Sequence, residues 1–192
     1  MTGKSGQQGQ VFAAEEEQMK LREKIAKLKQ KLPRKEVKDY TFRSWAGKPV
    51  KLSGLFGNKK DLILVHNMGK KCPYCTMWAD GFNGLRQHLE DRAAFVVNSP
   101  DPPAIQEKFA SGRNWKFKMV SSHGTSFNKD MGFEGKEKEP WPGVSTFYKK
   151  NNKIYRISFA SFGEGDDFCP VWHFFDMLAD GRAGWEAKFK YQ

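Results

Sequence analysis

Apolar residues change their period several times along the chain, and each change marks an element. From Ala13 to Lys31 the residues favour helix, and Leu21, Ile25, Leu28 and Leu32 recur at steps of four, three and four, on one narrow stripe. Glu16 with Lys20 and Glu23 with Lys27 add pairs four residues apart, and Pro33 ends the segment. Residues 1–12, holding Gly, Ser and Gln, read as a flexible tail. Residues 13–33 form an N-terminal helix on this reading, and 34–192 a single domain. Two roles for the stripe stand: it packs on its own domain, or it zips with a second copy as a short coiled coil, giving a homodimer through this helix.

Beyond Pro33 the pattern shortens to strands. Tyr40-Thr-Phe42 and the alternating Pro49-Val-Lys-Leu52 flank a turn at Ala46-Gly-Lys48, and Gly54 to Lys60 reads as a loop. Asp61 to His66 is a continuous apolar run opened by a charge, the pattern of a central strand buried on both faces. Met77, Phe82, Leu85 and Leu89 then fall near helical spacing. Ala93 to Val97 is a second buried strand, Pro102-Pro103 opens a helix through Ala110, and Trp115 to Val120 is a further strand. Gly143 to Tyr148 and Ile154 to Ser158 flank a polar turn containing Asn151-Asn152, a β-hairpin, and Val171 to Leu178 is a closing helix. Strands alternating with helices, closed by a hairpin and a helix, predict an α/β three-layer sandwich with a mixed central sheet.

Composition narrows the class. Hydrophobic residues make up 39% and aromatics 14% of the chain, as in a packed domain. No apolar run approaches the length of a membrane span, which argues against a membrane partner. The first thirty residues carry no apolar signal core, so a cytoplasmic address is expected. The net charge of +11 raises nucleic acid as a partner. The lysines are scattered, however, and no helix-turn-helix, RNP-like or paired zinc-finger pattern accompanies them, which argues against it.

The candidate chemistry is Cys72-Pro73-Tyr74-Cys75, directly after the buried strand and at the start of a helix. Unpaired N–H groups and the dipole at a helix start stabilise a thiolate, and Lys70 and Lys71 add positive potential. The Cys72 pKa is therefore expected below the free value of about 8.5, making Cys72 the nucleophile. Pro73 fits the first turn, and Cys75, one turn on and more shielded, is the resolving thiol. The expected partners are protein or small-molecule thiols and disulfides, with no cofactor. A rival reading joins both cysteines to Cys169 and His173 as a Cys3His zinc set, although His173 also reads as a core histidine.

Two likenesses follow. Thr41-Phe42, Gly47-Lys48, Val50 to Ser53 and Leu62 to Val65 leading into the cysteines, with Gly143-Val-Ser-Thr-Phe147 later, resemble the peroxiredoxin and thiol-reductase branch of the thioredoxin superfamily. At closer range Val37 to Phe42, Leu52 to Phe56, Cys72 to Gly84, Phe127-Asn128, Asp130 and Gly181-Arg182 resemble a bacterial thioredoxin-like group, domain of unknown function 899. The likeness implies a thioredoxin-like fold and a redox-active dithiol. Ser145 stands where thioredoxins carry an active proline, with Pro142 three residues earlier, and Gly69 stands where peroxiredoxins carry a threonine. The first departure puts the substrate groove in question and the second argues against peroxide reduction. Among supporting residues, His66 reads as a proton partner of the sulfurs or a buried structural group, and Trp78 as a contact platform or packing. Asp80 reads as a proton relay or an exposed carboxylate, and Phe127 to Asp130 as a polar turn capping a short helix.

Overall fold

A computed structural model describes residues 6–191, and the chain divides into two compact units, residues 1–34 and 35–192. The first carries α1, Gln7–Gln30, closed where the Lys31 N–H returns to the Leu28 carbonyl and the Leu32 N–H to the Lys29 carbonyl. None of its residues is buried, and Leu21 and Leu28 stand 55% and 56% exposed. The helix begins before Ala13, so residues 7–12 are helical and not a loose tail; residues 1–5 of the expected tail lie outside the described residues.

The second unit is built on one mixed sheet. Its elements in chain order are β1 (Lys35–Val37), β2 (Thr41–Arg43), β3 (Pro49–Lys51), α2 (Leu52–Leu55), β4 (Asp61–His66), α3 (Pro73–Arg92) and β5 (Ala94–Ser99), then α4 (Pro103–Gly112), β6 (Lys118–Ser121), α5 (Phe127–Asp130), β7 (Gly143–Lys150), β8 (Lys153–Ser161) and α6 (Pro170–Asp176). The strand order is β1-β8-β7-β4-β5-β6-β2-β3. β4, β5 and β6 are mutually parallel, which requires crossovers, and α3 and α4 supply them. β7 runs antiparallel to β4, with Leu64 opposite Ser145, and β8 returns from β7 through the Asn151-Asn152 turn, where both residues adopt positive φ.

Alternation along β4 sorts the core into two layers. Val65 enters one cluster with Cys75, Trp78, Phe82, Phe95, Val97, Ala110 and Trp172, with Ile63 packed against it. Leu62 and Leu64 enter the other with Phe42, Leu52, Phe56, Val96, Val120, Phe127, Phe133 and Phe147. Helices thus cover both faces: α3, α4 and α6 one, α2 and α5 the other. The expected three-layer α/β sandwich is what forms. Three details differ. The expected loop from Gly54 to Lys60 begins inside a short helix, α2, whose Leu52 and Leu55 plug the second cluster. β1 pairs with β8 at the sheet edge, although Lys35-Glu36-Val37 has no strand alternation to announce it. The strand placed at Trp115 begins only at Lys118, because the Trp115 N–H still bonds the α4 carbonyl of Ala110.

Phe127 is fully buried and meets Tyr40 and Phe42 edge-on at 5.0 and 4.7 Å, with His66 stacked at 5.4 Å. It is the bolt of the second layer. Phe127→Ala should therefore cost about 3–5 kcal/mol in urea unfolding; a loss under about 1 kcal/mol would show that α5 does not hold this layer together.

Candidate functional site

Strand β4 ends at His66, and the chain then turns through Asn67, Met68, Gly69, Lys70 and Lys71 into the dithiol. The loop is held at several points. The Asn67 N–H bonds the Asn98 carbonyl on β5, its side-chain oxygen accepts from the Gly69 N–H at 2.7 Å, and its amide donates to the Cys75 carbonyl at 3.3 Å. The Lys70 N–H donates to Asp101 Oδ2 at 2.7 Å, and Ser121 Oγ donates to the Asp101 carbonyl. Gly69 has φ of +100°, and a Cβ there would stand 2.8 Å from Asp101 Oδ2. Only glycine meets both demands, which gives a physical reason for a glycine at this position.

Cys72 is the N-cap of α3. Its sulfur accepts the Cys75 N–H at 3.0 Å, and Pro73 occupies the first turn, where its missing N–H leaves no gap. Cys75 is 2% exposed and its sulfur accepts the Met68 N–H at 3.4 Å, whereas Cys72 is half-buried. Both thiols are free. The Cys72 pKa is lowered to about 7, first by the hydrogen bond from the Cys75 thiol, then by the backbone N–H groups of Cys75 and Tyr74, against the opposing effect of burial. Cys75 moves strongly the other way, because it donates that bond and is buried. Lys70 and Lys71, exposed at the surface, are not among the groups that set the Cys72 value.

The surrounding residues divide clearly. The Tyr74 ring stacks with Trp172 at 6.0 Å, tying the dithiol loop to α6. Trp78 is 4% exposed and packs on Phe162 at 5.3 Å, so it is core and offers no contact platform. Asp80 is no proton relay: it accepts Arg113 Nε at 2.9 Å and Trp115 Nε1 at 2.8 Å, bracing α3 against α4. Cys169 is buried at the α6 N-cap and His173 is exposed, not core. Among the described residues no three His, Cys, Asp or Glu side chains gather as a metal site, which removes the zinc geometry. Beside the loop, Lys70 joins Lys108, Arg113 and Lys190 around a groove of about 450 Å³ floored by Ile105, Phe109 and Phe189. Sequence reasoning missed this groove, because its lining comes from three distant segments.

His66 and Ser145 lie together, on the sheet face opposite Cys75. His66 shares the parity of Leu62 and Leu64, and it is sandwiched between Phe133 at 4.0 Å and Phe127. Its Nδ1 lies 3.3 Å from Asn128 Oδ1, which also accepts from Asn98 Nδ2 at 2.8 Å. An amide oxygen only accepts, so Nδ1 carries the proton and Nε2 accepts from Ser145 Oγ at 2.9 Å. Ser145 Oγ in turn accepts from Arg156 Nη2 at 3.0 Å. Burial pushes the His66 pKa down to about 3, with the Arg156 charge acting in the same direction. His66 is thus a neutral structural link and not the sulfurs' proton partner; Ser145 is fully buried in the same chain of bonds. No peptide bond among the described residues is cis, Ser145 and Pro142 included.

The fold is thioredoxin-like, with the two cysteines where β4 gives way to α3. Several solved structures share this fold. Peroxidoxin BcpB from Mycobacterium tuberculosis matches with a TM-score of 0.57 at 24% identity, over 80% of this chain and 97% of that one. Reduced Prx3 from Vibrio vulnificus matches at 0.56 and 13% identity, over 70% and 90%. A hypothetical protein from Sinorhizobium meliloti matches at 0.52 and 9% identity, over 83% and 88%. No curated protein matches in sequence. The chain belongs to the bacterial protein family of unknown function DUF899, which it matches over residues 6–191. Among the described residues no helix is long and apolar enough to cross a membrane.

The His66 network makes stability depend on pH. An unfolded chain takes up a proton at His66 near pH 6.5, whereas the folded chain resists to about 3. Its contribution is whole above about pH 6.5 and is lost as pH falls toward 3, at up to about 1.4 kcal/mol per pH unit. Denaturant unfolding should show this slope, and His66→Leu should remove it. An unchanged slope in that variant would place the titrating group elsewhere.

Proposed function

We propose that the protein is a thiol–disulfide oxidoreductase with Cys72 as nucleophile and Cys75 as resolving thiol. The observation that carries this reading is the asymmetry of the pair: a half-exposed sulfur held toward thiolate by its neighbour, and a buried sulfur held toward thiol. The Cys72 thiolate attacks a substrate disulfide, forming a mixed disulfide and releasing one substrate thiolate. Cys75 then loses its proton and attacks the Cys72 sulfur. The second substrate thiolate leaves and takes up that proton, so the two electrons given up in forming the Cys72–Cys75 disulfide end on the two substrate thiols. Two external thiols, or one dithiol, return the pair to the dithiol and leave as a disulfide. The basic groove beside Lys70, with its aromatic floor, favours substrates that are acidic and partly apolar.

The likeness to peroxiredoxins favours one second reading, in which the oxidant is a peroxide. Cys72 would take one peroxide oxygen as a sulfenic acid, releasing an alcohol or water, and Cys75 would condense with it to the same disulfide and water. Gly69 leaves no hydroxyl on that side of the loop, so disulfide exchange is the preferred reading.

Alkylation against pH should give a Cys72 midpoint near 7, and Cys75→Ala should raise it toward the free thiol value of about 8.5. Cys75→Ser should trap mixed disulfides through Cys72. A wild-type midpoint near the free value, with no Cys72–Cys75 disulfide across glutathione buffers, would sink the reading. Consumption of peroxide without reduction of oxidised glutathione or a protein disulfide would select the second one.

A further inference from the structure

The seam of α1 runs further than its four-leucine-type stripe. Read in sevens, Val11, Gln18 and Ile25 fall on one seam position and Ala14, Leu21 and Leu28 on the other, all inside the 24-residue helix. Val11, Leu21, Ile25 and Leu28 are 43–56% exposed, and the helix has no buried residue. The ion pairs Glu16–Lys20 and Glu23–Lys27 occupy the face away from the seam. The charges flanking the seam are Glu15, Glu17, Arg22, Lys24 and Lys29, acidic toward the N-terminus and basic toward the C-terminus.

We propose that α1 pairs with α1 of a second copy of this chain as an antiparallel coiled coil. In the register that keeps every seam residue within the helix, Val11 meets Leu28 of the second copy, Ala14 meets Ile25, and Gln18 meets Leu21. The small Ala14 opposite the larger Ile25 keeps the layers even. Antiparallel geometry sets like flanking positions against each other, so Glu17 faces Lys24 and Glu15 faces Arg22, each twice by symmetry, and Lys29 faces the uncharged Gln8. No like charges meet. A parallel pair keeps Glu17 against Arg22 but sets Lys24 against Lys29 twice. Charge complementarity therefore selects both the occupant and its direction. The seam is about 26 Å long by the helix rise and carries one polar and one small residue, so the pairing is weak and concentration-dependent.

The two directions give opposite results for one substitution. In sedimentation velocity of the intact chain over a concentration series, the wild type should pass from monomer to dimer. Leu21→Glu with Leu28→Glu should remain monomeric. Lys24→Glu sets Glu against Glu in the antiparallel pair and should weaken association roughly tenfold, whereas in a parallel pair it turns a repulsion into an attraction and tightens it. Adding Glu17→Lys to Lys24→Glu should restore the antiparallel dimer. All these positions are exposed, so folding is not at stake. A wild type that stays monomeric at every concentration, a dimer indifferent to the leucine changes, or a tighter Lys24→Glu dimer would each overturn the proposal.

Discussion

β4 is paired on both edges and covered on both faces, so beyond the partly exposed Asp61 little of it can reach water. Its backbone groups are taken up by β5 and β7, and its side chains must divide between two apolar layers. The rest of the second unit follows from that. The even residues, Leu62 and Leu64, commit one layer to the phenyl rings of α5 and β7, and the odd ones commit the other to α3 and α6. At His66 the strand runs out of apolar residues while still inside the protein. A polar ring there survives only if both nitrogens are bonded, and Asn128 and Ser145 do that.

The same constraint shapes the dithiol. A chain leaving a buried strand carries polar backbone into a crowded space, and Asn67 and Asp101 absorb it by bonding Gly69, Lys70 and the Cys75 carbonyl. The loop is therefore braced before the first cysteine is reached. Cys72 then arrives at the open start of a helix and Cys75 beneath it, and their unequal exposure follows from one turn of rotation around α3. The chemical difference between two identical side chains is thus a matter of position along a helix end.

Much of this was legible in the residues. The apolar run at 61–66, the Cys-x-x-Cys after it and the Asn151-Asn152 hairpin are local patterns, and they formed where local patterns form. The side of the sheet taken by His66 was also readable, since it keeps step with Leu62 and Leu64, yet nearness in sequence to Cys72 suggested nearness in space. What lay outside reach was long-range. Asp80 finds Arg113 and Trp115 only because α3 and α4 pack together, and β1 becomes a strand only because β8 offers an edge. His173 sits on an apolar-looking helix of only seven residues, and so short a helix buries Trp172 and leaves His173 outside.

The order of the strands also bears on how the molecule assembles. β4 meets β5 through Leu62 and Ala94, a short closure bridged by α3, whereas its other edge waits for Tyr148 opposite Asp61, nearly three times as far along the chain. Loop-closure entropy ranks the first pairing ahead of the second. The strand, loop and helix that hold the two sulfurs belong to the early, local part of the fold. The chain of bonds from His66 through Ser145 to Arg156 belongs to the late part, the latch that closes once the distant hairpin has docked.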